Sequence, residues 1–220
     1  AALQNLTHPH RSWPLKDLQG LASRCNVLES PTIMMPKPQL SKHSCRPTQI
    51  HVRAADLDAA RDGKALLMLL DAYARDPMGE GRGLSREALA CLIPALRRVP
   101  GAVVLLAFAR TEDAASAAGQ DWSPVGAAVC FFGFSTFRAR GLLNVHDLAV
   151  LPDWRGRGVG RRLLAAVETV ARSHGCCKVT LEVRADNAAA RRLYDRLGYG
   201  AGMAAGDPAQ YLFMEKRLED

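Results

Sequence analysis

Leu148-Ala149-Val150-Leu151-Pro152-Asp153-Trp154-Arg155-Gly156-Arg157-Gly158-Val159-Gly160-Arg161-Arg162 is the stretch that decides the fold of this chain. An apolar strand runs to Leu151. Three glycines and four arginines then crowd into Arg155 to Arg162, and an amphipathic helix follows. Glycine lets a backbone take positive φ and approach a ligand closely. A helix start offers N–H groups that the helix itself cannot pair. Such a turn suits an anion, and the diphosphate of a nucleotide cofactor is its natural guest. The two common phosphate loops do not fit. A dinucleotide fold needs G-x-G-x-x-G after its first strand and an acid about 20 residues later. Here the glycine spacing differs and the turn follows the fourth expected strand. A Walker loop needs Gly-Lys-Ser/Thr, which is missing.

The segments around that stretch alternate between strand and helix patterns. Ile50 to Arg53 reads as a short strand. Asp56 or Asp58 is expected to cap a helix running through Ala65 to Tyr73. Asp76-Pro77-Met78-Gly79-Glu80-Gly81-Arg82-Gly83 breaks it. Ser85 opens a second helix that ends near Arg98. Strands are expected over 102–109, 125–134 and 142–151, with a loop over 111–123 between the first two. Helix 158–174 closes on Gly175, strand 178–183 follows, and helix 187–197 closes on Gly198. A small strand near Tyr199 and a last strand over 211–218 complete the chain. Three consecutive strands exclude a purely doubly wound sheet. The expected class is α/β of the mixed α+β kind, with helices on both faces of one sheet.

The net charge of +7 is uneven. Residues 1–47 hold six Lys/Arg against Asp17 and Glu29, so they contribute +4. They are rich in Ser, Pro and His and lack sustained periodicity, the composition of a disordered tail and equally of an organellar transit peptide. The folded domain is expected over 48–220, and the location is cytoplasmic or, with a transit peptide, plastid or mitochondrial. A basic stripe with aromatic platforms is missing, which argues against nucleic acid as a partner. No run is long and apolar enough to span a bilayer, so no membrane partner is expected. The six cysteines form no C-x-x-C pair and no zinc spacing with histidine, so no metal is expected and the thiols read as reduced core residues.

Leu148 to Gly160 resembles motif A of the GNAT superfamily of acyltransferases, R/Q-x-x-G-x-G/A after a strand. Asn187-Ala188-Ala189-Ala190-Arg191-Arg192-Leu193-Tyr194-Asp195-Arg196-Leu197-Gly198-Tyr199 is similar to its motif B, N-x-x-A-x-x-L-Y followed by a G-F/Y pair. Two motifs in the right order are far more specific than either alone. The resemblance covers roughly residues 49–220. It implies the GNAT fold, a central, mostly antiparallel sheet splayed beside motif A, and acetyl-CoA as co-substrate. Main-chain groups of Leu148, Ala149 and Val150 would then hold the pantetheine arm. Arg155, Gly156, Arg157, Gly158, Val159 and Gly160 would hold the pyrophosphate, and Asn187 and Tyr194 would also face the cofactor.

The resemblance places Tyr194 at the usual general-acid position. An ammonium acceptor must first lose a proton, so a base is needed. His146 lies four residues before Val150, where polyamine acetyltransferases carry glutamate, and Glu182 on the next strand is a rival. Strand parity puts Asn144, His146, Leu148 and Val150 on one face and Asp147 on the other. Asp147 matches an acid in those relatives. Asp76, Glu80, Phe134 and Asp147 are the candidate acceptor contacts. The expected activity is N-acetyl transfer to a primary amine, such as a polyamine, an amino acid or a protein amine, by direct attack in a ternary complex, with a homodimer as one assembly. The alternative is a catalytically inactive acyl-CoA-binding regulatory module.

Overall fold

The computed structural model describes residues 48–111, 122–201 and 211–217. The expected tail, 1–47, and most of the expected loop over 111–123 lie outside the described residues. The elements are β1 (Thr48–Ala54), α1 (Ala60–Ala74), α2 (Arg86–Leu96), β2 (Ala102–Thr111), β3 (Ser123–Ser135), β4 (Arg140–Val150), a 3-10 turn (Pro152–Trp154), α3 (Val159–Ser173), β5 (Lys178–Arg184), α4 (Ala188–Arg196), β6 (Gly200–Ala201) and β7 (Tyr211–Arg217). The order matches the sequence expectation, including the small strand beside Tyr199.

The local signals explain most boundaries. Ser85 Oγ accepts a hydrogen bond from the Ala88 N–H at 3.0 Å and caps α2. Gly175 and Gly198 take φ of +64° and +80° just past α3 and α4. The expected cap of α1 is a correction. Its N-cap is Ala59, and no side chain caps it. Asp56 instead accepts from the Asp58 N–H, folding the approach to the helix rather than its first turn. Cys130, Cys176 and Cys177 are free and buried, as core thiols should be.

The strands form one sheet in the order β1-β2-β3-β4-β5-β7-β6. Every neighbouring pair is antiparallel except β4 and β5, which run parallel. Each face carries its own core. α3 and α4 cover one, built on Leu105, Ala128, Leu143, Val145, Leu163, Leu164, Val167, Leu181 and Tyr194. α1 and α2 cover the other, built on Leu66, Leu69, Leu70, Leu96, Leu106, Phe108, Ala127 and Val129.

Two irregularities shape the middle of the sheet. The β4–β5 ladder holds only from Leu142/Lys178 to Val145/Leu181, yet β4 continues to Val150 and β5 to Arg184. The strands therefore part, leaving the main chain of residues 146–150 without a ladder on that side. The second irregularity is a bulge. Val129 pairs with Asp147 and Cys130 with Val145, so His146 is an extra residue in β4. This corrects the parity expectation. Leu148 and Val150 pack on the α3 face with Leu143 and Val145, while Asn144 lies on the opposite face, opposite Phe131.

α1 is fixed to β1 by charge. Asp62 is buried and accepts from Arg53 Nη2 at 2.7 Å, from Arg53 Nη1, and from the Asp56 N–H at 2.8 Å. The Arg53 hydrogen bonds hold its carboxyl below the usual range, against the opposing effect of burial. A depressed folded-state pKa contributes stability above the unfolded value that is lost as pH falls through it. Arg53→Met should therefore cost about 2 kcal/mol at pH 7, between the surface and buried limits for ion pairs. Urea titrations should show the gap from wild type shrinking below about pH 4.

Candidate active site at the strand split

The turn beyond β4 has the conformation its glycines foreshadow. Gly156 and Gly158 take φ of +73° and +83°, and a Cβ at either would meet nothing within 4 Å. Backbone conformation, and not crowding, is what demands glycine there. The Arg162 N–H is the one that bonds back to Gly158 O, at 3.1 Å. The N–H groups of Val159, Gly160 and Arg161 are therefore the open donors of the α3 start. Arg155, Arg157, Arg161 and Arg162 are exposed around them, with Arg157 stacked over Trp154 at 5.2 Å. Gly160 serves packing as well, since its Cβ would come within 3.0 Å of Leu193 on α4. Gly126, paired with Val150, does the same under α3: a Cβ there would lie 2.9 Å from Ala149 O and Val159 Cγ1.

The turn opens onto the split. Leu151 donates its N–H to Val125 O on β3 at 3.0 Å. By strand alternation the N–H and C=O of Val150 point the other way, towards β5. A depression beside Val150 is lined by Leu69, Tyr73, Ala149, Leu151, Pro152 and Arg155. Unladdered strand, positive-φ glycines and a helix start thus follow one another along one path. A long, flexible chain ending in a diphosphate fits that path. Leu148, Ala149, Val150, Arg155, Gly156, Arg157, Gly158, Val159 and Gly160 all lie along it.

Tyr194 sits on α4, buried, with its ring centroid 6.1 Å from that of Tyr199. Burial, and then proximity to Tyr73, push its phenol well above the usual range, so it remains a proton donor through neutral pH. Asn187 has a local task. Its Oδ1 accepts from the Ala190 N–H at 3.1 Å and caps the helix that carries Tyr194.

The other face of the split holds the polar candidates. Asn144 Nδ2 donates to Thr180 Oγ1 at 3.0 Å across the last part of the β4–β5 ladder. Just past it come His146 and Asp147 on β4 and Glu182 on β5. His146 is exposed, with its ring 5.6 Å from that of Phe131. Asp147 is half-buried, and desolvation pushes its carboxyl above the usual range, opposed by His146. Glu182 is exposed on the face opposite Leu181 and Val183.

The remaining acceptor candidates part company. Asp76 Oδ2 accepts from Arg155 Nη2 at 2.8 Å, which joins the loop after α1 to the glycine turn. Glu80 is exposed and 3.5 Å from Arg82. Phe134 pairs with Gly141, nine residues along β4 from Val150, or about 30 Å at the usual strand rise. It does not join the site. Among the described residues no group of His, Cys, Asp and Glu could hold a metal. Tyr73 and Leu69 were missed by sequence reasoning because they continue the apolar face of α1 and look like core.

Comparison with known proteins completes the picture. Residues 107–199 match the acetyltransferase (GNAT) family model. Over those residues the chain is similar to a GNAT acetyltransferase domain. Bovine thialysine N-epsilon-acetyltransferase is 35% identical over 85 residues, covering 38% of this chain and 49% of that protein. The chain spans about half, or less, of the length of the curated relatives it matches. Two solved structures share the fold. One is a chain of the NatC complex bound to Gag peptide and CoA, with TM-score 0.56 and 18% identity over 78% of this chain and 99% of that one. The other is the PaiA N-acetyltransferase of Thermoplasma acidophilum in complex with coenzyme A, with TM-score 0.53 and 15% identity over 77% and 99%.

The position of Asp147 beside the strand split has a measurable cost. A folded-state pKa above the unfolded one means that the native state holds the proton longer, so stability falls as pH rises through that window. Asp147→Asn should raise the melting temperature at pH 7 by a few degrees. The gain should fade as pH is lowered through about 4, below which the wild-type carboxyl becomes protonated in both states. Calorimetric melts across that range check it.

Proposed function

We propose that this protein transfers an acetyl group from acetyl-CoA to a primary amine by direct attack within a ternary complex. The parting of β4 and β5 at Val145 and Leu181, ending on the Gly156–Gly160 turn, carries the reading. It offers main-chain groups along an arm and N–H donors at a diphosphate, in one continuous path. Acetyl-CoA supplies the activated thioester, and the chain supplies orientation and proton handling.

Two groups on opposite sides of the split divide the proton work. An ammonium acceptor has a pKa near 10.4 and must be deprotonated before it attacks. Asp147 is the best base: desolvation makes its carboxylate more basic, and it lies beside the unladdered stretch of β4. His146 is next to it and can carry the proton outward to solvent. Tyr194, buried on the other side, holds a proton for the departing thiolate, whose thiol pKa is near 8.5. The Val150 N–H, aimed into the split, can steady the thioester oxygen. The acceptor we favour is a small primary amine, supported by the similarity to a relative named for an ε-amine and by the acids near the opening.

Mass spectrometry of mixtures with acetyl-CoA and a panel of polyamines, amino acids and peptides tests the reaction; no acetylated product from any of them would sink it. Tyr194→Phe should lower kcat about a hundredfold while leaving the affinity for coenzyme A intact. Gly158→Asp places a carboxylate and a strained backbone in the turn and should abolish coenzyme A binding in a calorimeter.

A further inference from the structure

Arg155 makes two contacts that do not belong to an isolated anion cradle. Its Nε donates to Val150 O at 3.1 Å, the carbonyl that faces the split. Its Nη2 donates to Asp76 Oδ2 at 2.8 Å, across 79 residues of sequence. Asp76 is no loose surface acid. Its side chain is 13% exposed, and its Oδ1 accepts from the Met78 N–H at 2.8 Å. That turn bond, aided by Arg155, holds its carboxyl below the usual range despite burial, so it is an anion at any working pH. The guanidinium therefore bars the end of the split, with one end on β4 and the other on the loop after α1.

A diphosphate seated on the Gly156–Gly160 turn lies directly beside Arg155 and competes for the same donors. An arm laid along β4 competes for Val150 O. Each demand draws on a group that the present contacts already engage. We infer that Asp76 is a positioning residue that competes with the cofactor's diphosphate for Arg155, so that cofactor binding and the Asp76–Gly83 loop are energetically coupled. The inference rests on the acetyl-CoA reading given above. Coupling of this kind is reciprocal: whatever holds the loop in the Arg155-bound arrangement weakens cofactor binding by the same factor. Released from Arg155, the Asp76 carboxylate stands at the rim of the depression with its charge uncompensated, where a cationic acceptor would be drawn to it.

Calorimetry with coenzyme A on four proteins tests this: wild type, Asp76→Asn, Arg155→Gln and the double variant. Asn keeps an acceptor for the Met78 N–H, and Asp76→Ser is the second choice should Asn fail to fold. Asp76→Asn should bind coenzyme A roughly two- to fivefold more tightly, the range expected for loss of one partly exposed ion pair. Arg155→Gln should bind it more weakly. In the Arg155→Gln background the Asp76 substitution should change nothing. Unchanged or weaker binding by Asp76→Asn overturns the inference. So does a gain that persists without Arg155, since that is a general charge effect. If coenzyme A binds none of the four, the acetyl-CoA reading fails and takes this inference with it.

Discussion

The parting of two parallel strands governs this molecule. Between Leu142 and Val145, β4 and β5 are ordinary ladder neighbours. Beyond that point β5 keeps its antiparallel ladder with β7, and β4 keeps its ladder with β3. Each strand is therefore held in place from its far side, and the gap can persist without collapse. An unpaired main-chain edge inside a sheet is costly unless something pairs with it. Arg155, bonded to Val150 O, relieves a small part of that cost. The fold thus stores unused hydrogen-bonding capacity at the place where the proposed cofactor arm has use for it.

Two independent cores make the gap tolerable. α3 and α4 close one face of the sheet and α1 and α2 the other, each with its own apolar cluster. Tyr194 comes from the first side and Tyr73 from the second, close enough for Tyr73 to add to the upward push on the Tyr194 phenol. Glu168 on α3 anchors the far edge by accepting from Lys216 on β7 at 2.6 Å, which keeps β7 beside β5 and so helps hold the split open.

The order of elements was legible because glycine, proline and capping residues punctuate it. Ser85, Gly175 and Gly198 act locally, and no distant contact overrides them. The glycine turn was legible for the same reason. The face assignments in β4 were not, because a bulge depends on how the neighbouring strand is counted. The one trace in the sequence is the polar pair His146-Asp147 between Val145 and Leu148, which interrupts simple alternation. Taken alone, Asp76 reads as an acid for an amine and Arg155 as an arginine for phosphate. Their pairing spans 79 residues and no short pattern encodes it. Phe134, a candidate because it lies on a middle strand, falls by register near the opposite end of β4.

His146 is surplus to the ladder between β3 and β4. A lineage that lost its codon would leave Leu143, Val145, Leu148 and Val150 facing α3 as before, with the alternation now uninterrupted. The core would not register the loss, while the rim of the strand split would lose an imidazole. Single-codon gains and losses at this point offer evolution a way to re-equip the proposed acceptor side without rebuilding the sheet.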